Sequence, residues 1–250
     1  MTQRDDHRVL VPVDILAGQV VPETIIDAIA SIPVVVLGYH EIPDQTPTDQ
    51  ARMAYETRAR AELDELIGVF KDAGCDVTTR LVFTHDRFKT FERAAVELRC
   101  DGILILNPAP VLESVLVAIR GDTNLDYIAR LLAAVLAGTT IDVTLFHVVG
   151  DDKERERGVH SLESAKTNLI EHDVERDRIE TVVADGRPTD AILMAASDHD
   201  MLVMGESRPS IRRHIFRDRA ARIARRTIDP VLVIRGEYLK SEATDAETGR

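Results

Sequence analysis

An internal repeat constrains the fold of this chain more than any single motif does. The apolar run Val9–Val13 returns as Val115–Ile119, and each run is followed by helices and further apolar strands in the same order. In both copies an aspartate, Asp101 or Asp200, stands immediately before the fourth apolar run. Self-similarity over this length indicates two copies of one structural unit in tandem.

Within each copy, short apolar runs alternate with amphipathic helices. The long segments 49–73 and 151–172 have the apolar spacing of helices, and His147 falls at the point where His40 stands in the first copy. Predicted strands lie at 9–13, 33–37, 77–82, 102–106, 115–119, 143–149, 179–184, 200–205 and 229–235. Strands that alternate with helices in this way predict a parallel sheet covered on both faces.

The two copies differ after their fourth strand. The second continues through a loop, a helix and a fifth strand, whereas residues 107–114 of the first are too few to hold these elements. We therefore expect an α/β protein of two tandem flavodoxin-like (Rossmann-like) domains with parallel sheets. Domain 1 covers residues 8–112 and lacks its last βα unit, domain 2 covers residues 115–236, and residues 237–250 form a disordered acidic tail.

Composition excludes several classes of function. A net charge of −12 argues against general affinity for nucleic acid, since phosphate contacts supply most of that binding. The polar start of the chain predicts no leader, and no apolar run reaches the ~18 residues of a membrane helix, so we expect a cytoplasmic protein. Cys75 and Cys100 have no metal or disulfide spacing and are interpreted as buried residues in a reducing compartment.

Three segments together resemble the universal stress protein family in its tandem two-domain form. Val11–Asp14 resembles the first-strand signature, Gly186–Ile192 the turn and helix after the third strand, and Asp200–Gly205 with Asp229–Ile234 the closing strands. The resemblance covers about residues 8–236. It implies a doubly wound parallel sheet in each domain, pairing of the domains through their last strands, and a role in stress response or regulation.

The resemblance also implies a nucleotide site, which this sequence does not complete. Many family members bind ATP through a glycine-rich loop that ends in Gly and Ser or Thr. Here the first glycine is Gly205, but the later positions fall on Arg208, Asp218 and Arg219. The family's adenine-side aspartate matches Asp14, whose counterpart in the second copy is Arg120. Neither copy therefore carries every residue of the site.

The loop after Gly205 is rich in arginine instead of glycine. Residues 208–226 contain eight arginines and one acid, which fits either an anion site or a solvated helix face. Loss of glycine and serine removes the main-chain cradle that phosphate needs. The residues that could bind an anion or nucleotide are Asp14, Gly205, Ser207, Arg208 and Arg219.

No catalytic pattern is evident, because the histidines lack metal spacing and no serine stands in a nucleophile elbow. We expect a non-enzymatic regulatory or interaction protein without a metal or cofactor, acting on a protein partner or associating with itself through its sheet edges. The alternatives are a nucleotide-binding protein for ATP or AMP, including a slow ATPase, and an anion- or effector-sensing module.

Overall fold

The computed structural model describes residues 7–107, 111–120, 125–150, 152–205, 223–224, 226–227 and 229–234. Its strands are β1 Val9–Asp14, β2 Val34–Glu41, β3 Val77–Thr84, β4 Gly102–Ile105, β5 Ser114–Ala118, β6 Asp142–Val149, β7 Ile179–Asp185, β8 Met201–Gly205 and β9 Val231–Ile234. Its α-helices are α1 Glu23–Ile29, α2 Thr48–Asp72, α3 Arg87–Glu97, α4 Leu125–Leu136, α5 Asp152–Glu171 and α6 Pro188–Ala196, and a short 3-10 helix spans Arg176–Arg178. The predicted tail 237–250 lies outside the described residues.

Local signals in the sequence explain where several helices begin and end. The Asp86 side chain accepts a hydrogen bond from the Lys89 main-chain nitrogen at 3.1 Å, which caps the first turn of α3. Pro188 opens α6, where its missing N–H costs nothing. Gly74 follows α2 with a φ of 84°, the left-handed conformation that commonly ends a helix. The predicted strands and the helices before β8 are confirmed, with small differences at their ends, whereas the helix predicted between β8 and β9 lies largely outside the described residues.

The strands form one continuous sheet in the order β3-β2-β1-β4-β9-β8-β5-β6-β7. Every neighbouring pair is parallel except β4 and β9, which are antiparallel. The α/β fold with parallel strands is thus confirmed, but the two expected sheets are joined. We call residues 7–107 the first half and residues 111–234 the second half; the exact domain limits remain a prediction.

The last strand, β9, serves both halves of the molecule. It lies parallel to β8 of its own half, with Leu202 opposite Val231, and antiparallel to β4 of the first half, with Ile105 opposite Val231. Residues 111–113, just before β5, are not in a strand. The halves thus pair through the last strand of each, β4 and β9, as the resemblance implied, and β9 fills the position that the missing unit of the first half would take.

Two apolar cores cover the faces of the sheet, and both extend across the two halves. One face packs against α1, α2, α4 and α5, and the other against α3, α6 and residues 223–224. Leu10 and Val35 of the first half share the second core with Leu116 and Leu202 of the second half. On the first face, the Ser31 hydroxyl after α1 donates to the Ala134 main-chain oxygen in α4 at 2.6 Å. The halves are therefore packed together, as well as joined through β9.

The repeated aspartates do the same work in each half. One carboxylate oxygen of Asp101 accepts the Arg8 main-chain N–H at 2.9 Å, just before β1. The Asp200 carboxylate accepts the main-chain N–H groups of Glu113 and Ser114 at 3.0 and 2.9 Å, at the start of β5. In both halves the aspartate before the fourth strand therefore fixes the start of the first strand. The repeat seen in the sequence is structural at this point.

Candidate functional site

A cavity of about 390 Å³ opens beyond the carboxyl ends of β1 and β4. In an open parallel sheet, ligands bind outside the strand ends at the point where the strand order reverses. Here the chain runs outward from β1 to β2 and β3, and then returns to the other side of β1 as β4, so the cavity lies at this point. Its lining consists of Pro12, Asp14, Ala17, Gln19, Tyr39, Arg87, Phe88, Phe91, Ile105, Leu106, Asn107, Ala224 and Thr227.

Asp14, the last residue of β1, stands at this cavity with its main chain held in place. Its main-chain nitrogen donates to Gln19 Oε1 at 2.8 Å, and Gln19 Nε2 donates to the Leu106 main-chain oxygen at 3.3 Å. Gln19 thereby bridges the ends of β1 and β4. The Asp14 carboxylate lies 3.4 Å from His40 Nδ1 and its side chain is 23% exposed, so it remains available to accept a hydrogen bond from a ligand.

Aromatic rings and one guanidinium form the wall on the α3 side. The Tyr39 and Phe91 rings meet edge to face with centroids 4.9 Å apart, and Arg87 Cζ lies 5.1 Å from the centroid of the Phe88 ring. Burial raises the pKa of Tyr39, and the Asp14 carboxylate adds to this, while Arg87 acts in the opposite direction. The Tyr39 hydroxyl is therefore neutral at physiological pH, between one acidic and one basic side chain.

The opposite wall comes from the second half of the chain. We call residues 226–230, apart from residue 228, which lies outside the described residues, the closing turn. Thr227 of this turn and Ala224 just before it both line the cavity. Asn107 Nδ2, two residues after β4, donates to the main-chain oxygens of Thr227 at 3.4 Å and Asp229 at 2.8 Å. The cavity of the first half is thus completed by the closing turn.

Asp229 of the closing turn is partly buried, and this burial raises the pKa of its carboxyl. The Thr227 hydroxyl, which donates to Asp229 Oδ2 at 3.3 Å, lowers that pKa, and the nearby Asp200 raises it. The Asp229 main-chain nitrogen also donates to Thr227 Oγ1 at 3.2 Å. These short-range bonds give the turn a defined shape where it meets Asn107.

The structure brings only part of the predicted site together. Asp14 lines the cavity, but Gly205 ends β8 in the second half, where it pairs with Ile234. A Cβ at Gly205 would lie 2.6 Å from Ile128 Cδ1, so close packing against α4 by itself accounts for the glycine. Ser207, Arg208 and Arg219 lie outside the described residues.

Sequence reasoning missed Gln19, Tyr39, Arg87 and Asn107, which belong to the cavity. The position of Asn107, immediately after a buried strand in a parallel α/β pattern, was a usable signal, because such strand ends meet at one edge of the sheet. The position of Arg87 at the start of α3 was not a usable signal, since many helices begin with a charged residue. The role of Thr227 depends on contact between the two halves, which no local pattern reports.

The proposed equivalence of His40 and His147 is wrong. Val9 pairs with Val34 in the first half, and its counterpart Val115 pairs with Val143. Counting along β2 and β6 from these pairs, His147 corresponds to Gly38, while His40 corresponds to a valine. His147 Nδ1 accordingly lies 2.9 Å from the Ile119 main-chain oxygen, whereas His40 lies beside a carboxylate. The same register does place Arg120 at the position of Asp14, as the sequence indicated.

The described residues contain neither a candidate metal site nor a candidate membrane span. Among the residues that the structure describes, no group of three or more His, Cys, Asp and Glu side chains has a geometry that could hold a metal ion. No helix in this part of the chain is long and apolar enough to cross a membrane. Cys75 and Cys100 are both buried, as expected from their positions before β3 and β4.

Comparison with known structures finds similar folds at low sequence identity. A universal stress protein from Archaeoglobus fulgidus DSM 4304 is 15% identical over 93% of this chain and 97% of its own, with a TM-score of 0.61. A functionally unknown protein from Pseudomonas aeruginosa PAO1 is 13% identical over 98% of both chains, with a TM-score of 0.55. The cytoplasmic domain of a prokaryotic cation chloride cotransporter is 14% identical over 91% of this chain and 95% of its own, with a TM-score of 0.54. At these identities the likeness establishes the fold alone.

Sequence comparison gives the family. A search of curated proteins found no match. The model of the universal stress protein family, however, matches residues 112–235, which include the repeated aspartate Asp200 and the closing strand β9. The resemblance suggested by the sequence motifs is thereby confirmed. The chain belongs to the universal stress protein family, as its residues 112–235 show.

Proposed function

We propose that this protein is a non-enzymatic regulatory or interaction module of the universal stress type that does not hold ATP in the family's usual way. One observation supports this most directly. The closing turn and Asn107 occupy the side of the cavity where a phosphate loop would have to leave β4. Residues 107–114, which follow that strand, contain two prolines and no glycine. A main-chain cradle for a triphosphate therefore has no place in the first half.

The charges around the cavity support the same conclusion. Among the described residues that line the cavity, Asp14 and Arg87 are the two charged ones, so this part of the lining carries no net charge. A triphosphate would bring several negative charges close to the Asp14 carboxylate, and repulsion between like charges in a closed site costs several kcal/mol. In the second half, Arg208, Asp218 and Arg219 replace the residues of the family's ATP motif.

The absence of catalytic activity is part of the proposal. Among the described residues that line the cavity there is no serine, cysteine, lysine or histidine to act as a nucleophile or base. Thr227 is the one aliphatic hydroxyl there, and its oxygen is engaged with the main chain and carboxylate of Asp229. A role in the cytoplasm through contact with a protein partner, or through self-association at the outer strands β3 and β7, fits this arrangement better than enzymatic turnover does.

A thermal unfolding experiment tests the proposal. The full chain is heated with and without millimolar ATP, AMP and magnesium, at both low and high salt, because the acidic, lysine-poor composition is typical of proteins from a salt-rich cytoplasm. We expect no shift with ATP and no nucleotide in the denatured extract of the purified protein. A rise of several degrees that is lost in Arg208→Ala or Arg219→Ala, but kept in Arg93→Ala on α3, would overturn it.

The second candidate function is nucleotide binding, and the position of Asp14 favours it. This carboxylate ends β1 at the mouth of the cavity, where an adenine amino group could donate to it. Phosphate release from ATP above the rate of the Arg208→Ala and Arg219→Ala variants would identify a slow ATPase. Binding without release would leave a nucleotide sensor.

A further inference from the structure

Among the described residues that line the cavity, one carboxylate and one guanidinium carry opposite charges. Asp14 presents a carboxylate from the end of β1, and Arg87 presents a guanidinium from the start of α3. Tyr39 lines the same cavity beside these two residues. The nearest carboxylate to Arg87 is that of Glu41, at 4.0 Å, and both of these side chains are 44% exposed. An ion pair this long and exposed contributes little, so Arg87 can turn to another anion at small cost.

The rest of the wall is aromatic and apolar. Phe88, Phe91 and Tyr39 give ring surfaces on one side, and Ala17, Ile105 and Leu106 give aliphatic ones. The volume of about 390 Å³ is near the lower end of the range for small-molecule sites. Rings of this kind favour a flat ligand, which packs against them face to face or edge to face. A flat body with polar groups at its two ends would satisfy both charged residues.

We propose that this cavity binds a flat organic monoanion, with Asp14 accepting a hydrogen bond from a donor group on the ring and Arg87 binding the carboxylate. The proposal rests on the proposed regulatory function and names the class of effector. In this pose each charged residue has a partner, because the carboxylate pairs with Arg87 and the ring donor gives Asp14 a hydrogen bond. Guanidinium and carboxylate form paired hydrogen bonds of the strong, charge-assisted kind.

The closing turn makes this site regulatory. A ligand in the cavity would contact Thr227 and Ala224 together with β1 and α3, so it binds only when the closing turn is docked. A ligand that binds one state alone stabilises that state. Occupation of the cavity therefore strengthens the attachment of β9 to β4, and the signal passes from the first half to the second through the Asn107 hydrogen bonds.

Three small aromatic probes distinguish the contribution of Asp14 from that of Arg87. The first, 4-aminobenzoate, has a ring, a donor and a carboxylate; benzoate lacks the donor, and aniline lacks the anion. Calorimetric titration of the full chain should show saturable binding of 4-aminobenzoate, about tenfold tighter than that of benzoate and tighter still than that of aniline. Saturable binding of none of these probes at millimolar concentration overturns the proposal, and leaves the absence of ATP binding untouched.

Substitutions assign the groups. Asp14→Ala, which removes the acceptor oxygens, should bring 4-aminobenzoate to the affinity of benzoate without weakening benzoate, and Arg87→Gln should weaken both anions about tenfold. Arg87→Lys should fall between, since it keeps the charge and loses the paired hydrogen bonds. Arg93→Gln, on the same helix outside the cavity lining, is the matched control and should change nothing. Unfolding curves confirm that each variant is folded, and an unchanged affinity in folded Arg87→Gln contradicts the assignment.

Two further measurements complete the test. Hydrogen exchange at Val231–Ile234 should slow when 4-aminobenzoate is bound, and exchange that does not change would contradict coupling to the closing turn. AMP provides the comparison with a phosphate-bearing ring. If AMP binds and the binding is lost in folded Asp14→Ala but kept in folded Arg87→Gln, the anion is held elsewhere and the role of Arg87 is wrong.

Discussion

Asn107 Nδ2 donates a hydrogen bond to the main-chain oxygen of Asp229 at 2.8 Å. Asn107 follows β4 of the first half, and Asp229 lies in the closing turn just before β9, so this bond joins the two halves. The same amide nitrogen is 3.4 Å from the Thr227 oxygen. One side chain thus donates to two partly buried carbonyl groups. The contact lies at the edge of the cavity, so it affects both stability and ligand binding.

Asn107→Ala should therefore lower the free energy of unfolding by about 1–2 kcal/mol, because it leaves two carbonyl oxygens without their donor. Asn107→Asp should cost at least as much, since a carboxylate would face those same oxygens. Urea denaturation of the full chain measures both. Asn168→Ala in α5 serves as the control and should be close to neutral. A loss no larger than the control would mean that the closing turn is held by other contacts.

The pH dependence of stability should report on Asp229. Burial raises the pKa of this carboxyl in the folded protein, so the folded state holds the proton more tightly than the unfolded chain does. Protonation of Asp229 therefore contributes stability in full below the pKa that this carboxyl has in the unfolded chain. That contribution is lost as the pH rises through its higher pKa in the folded protein. Asp229→Asn, which keeps an oxygen to accept from Thr227, should be more stable than the parent at pH 7.

The extra stability of Asp229→Asn should shrink as the pH falls towards the ordinary pKa of aspartate, because Asp229 of the parent protein then becomes protonated. Urea midpoints measured between pH 3 and 7, a range set by the ordinary aspartate pKa of about 4, follow the change. Asp44→Asn, in the exposed loop before α2, supplies the comparison. A difference between parent and Asp229→Asn that stays constant over this range would show that protonation of Asp229 is not linked to folding.

Much of the fold could be predicted because the signals are local. The apolar run Val9–Val13, the cap at Asp86 and the stop at Gly74 each depend on neighbours in the chain, and their elements formed as expected. The deletion after β4 could also be read from length alone. The position of β9 could not, because a four-residue apolar strand carries no mark of which edge it will join.

The site was predicted less well for the same reason. Asp14 was found through a motif at the end of a strand, where the residue type and its position agree. Arg87, Tyr39 and Thr227 come together only when α3, β2 and the closing turn fold around one point. The equivalence of His40 and His147 failed because residue type was matched without the register, which the sequence does not reveal.

Gly205 gives a test of packing against ligand binding. Gly205→Ala would place a Cβ 2.6 Å from Ile128 Cδ1, and we expect a loss of about 1–3 kcal/mol from this overpacking. Ile128→Val removes that methyl group. The double variant Gly205→Ala/Ile128→Val should therefore recover stability relative to the sum of the two single changes. Purely additive losses in urea denaturation would show that the two residues do not compete for the same space.

The repeated aspartates should be equally important in the two halves. Asp200→Ala leaves the main-chain N–H groups of Glu113 and Ser114 without their acceptor, and Asp101→Ala does the same to that of Arg8. Each substitution should cost about 2–3 kcal/mol, because hydrogen bonds to a charged acceptor are stronger than neutral ones. Thermal unfolding of both variants measures the effect. Asp177→Ala, in the short 3-10 helix, is the control and should shift the midpoint little.

The central position of β9 also has a consequence for synthesis of the chain. Ribosomal synthesis makes the first half before the strand that covers its β4 edge, so this edge stays open until residues 231–234 emerge. An open edge of this kind can pair with another nascent chain. The protein is therefore most exposed to misassembly late in translation, and a stop codon before residue 231 would release a chain with two uncovered strands, β4 and β8.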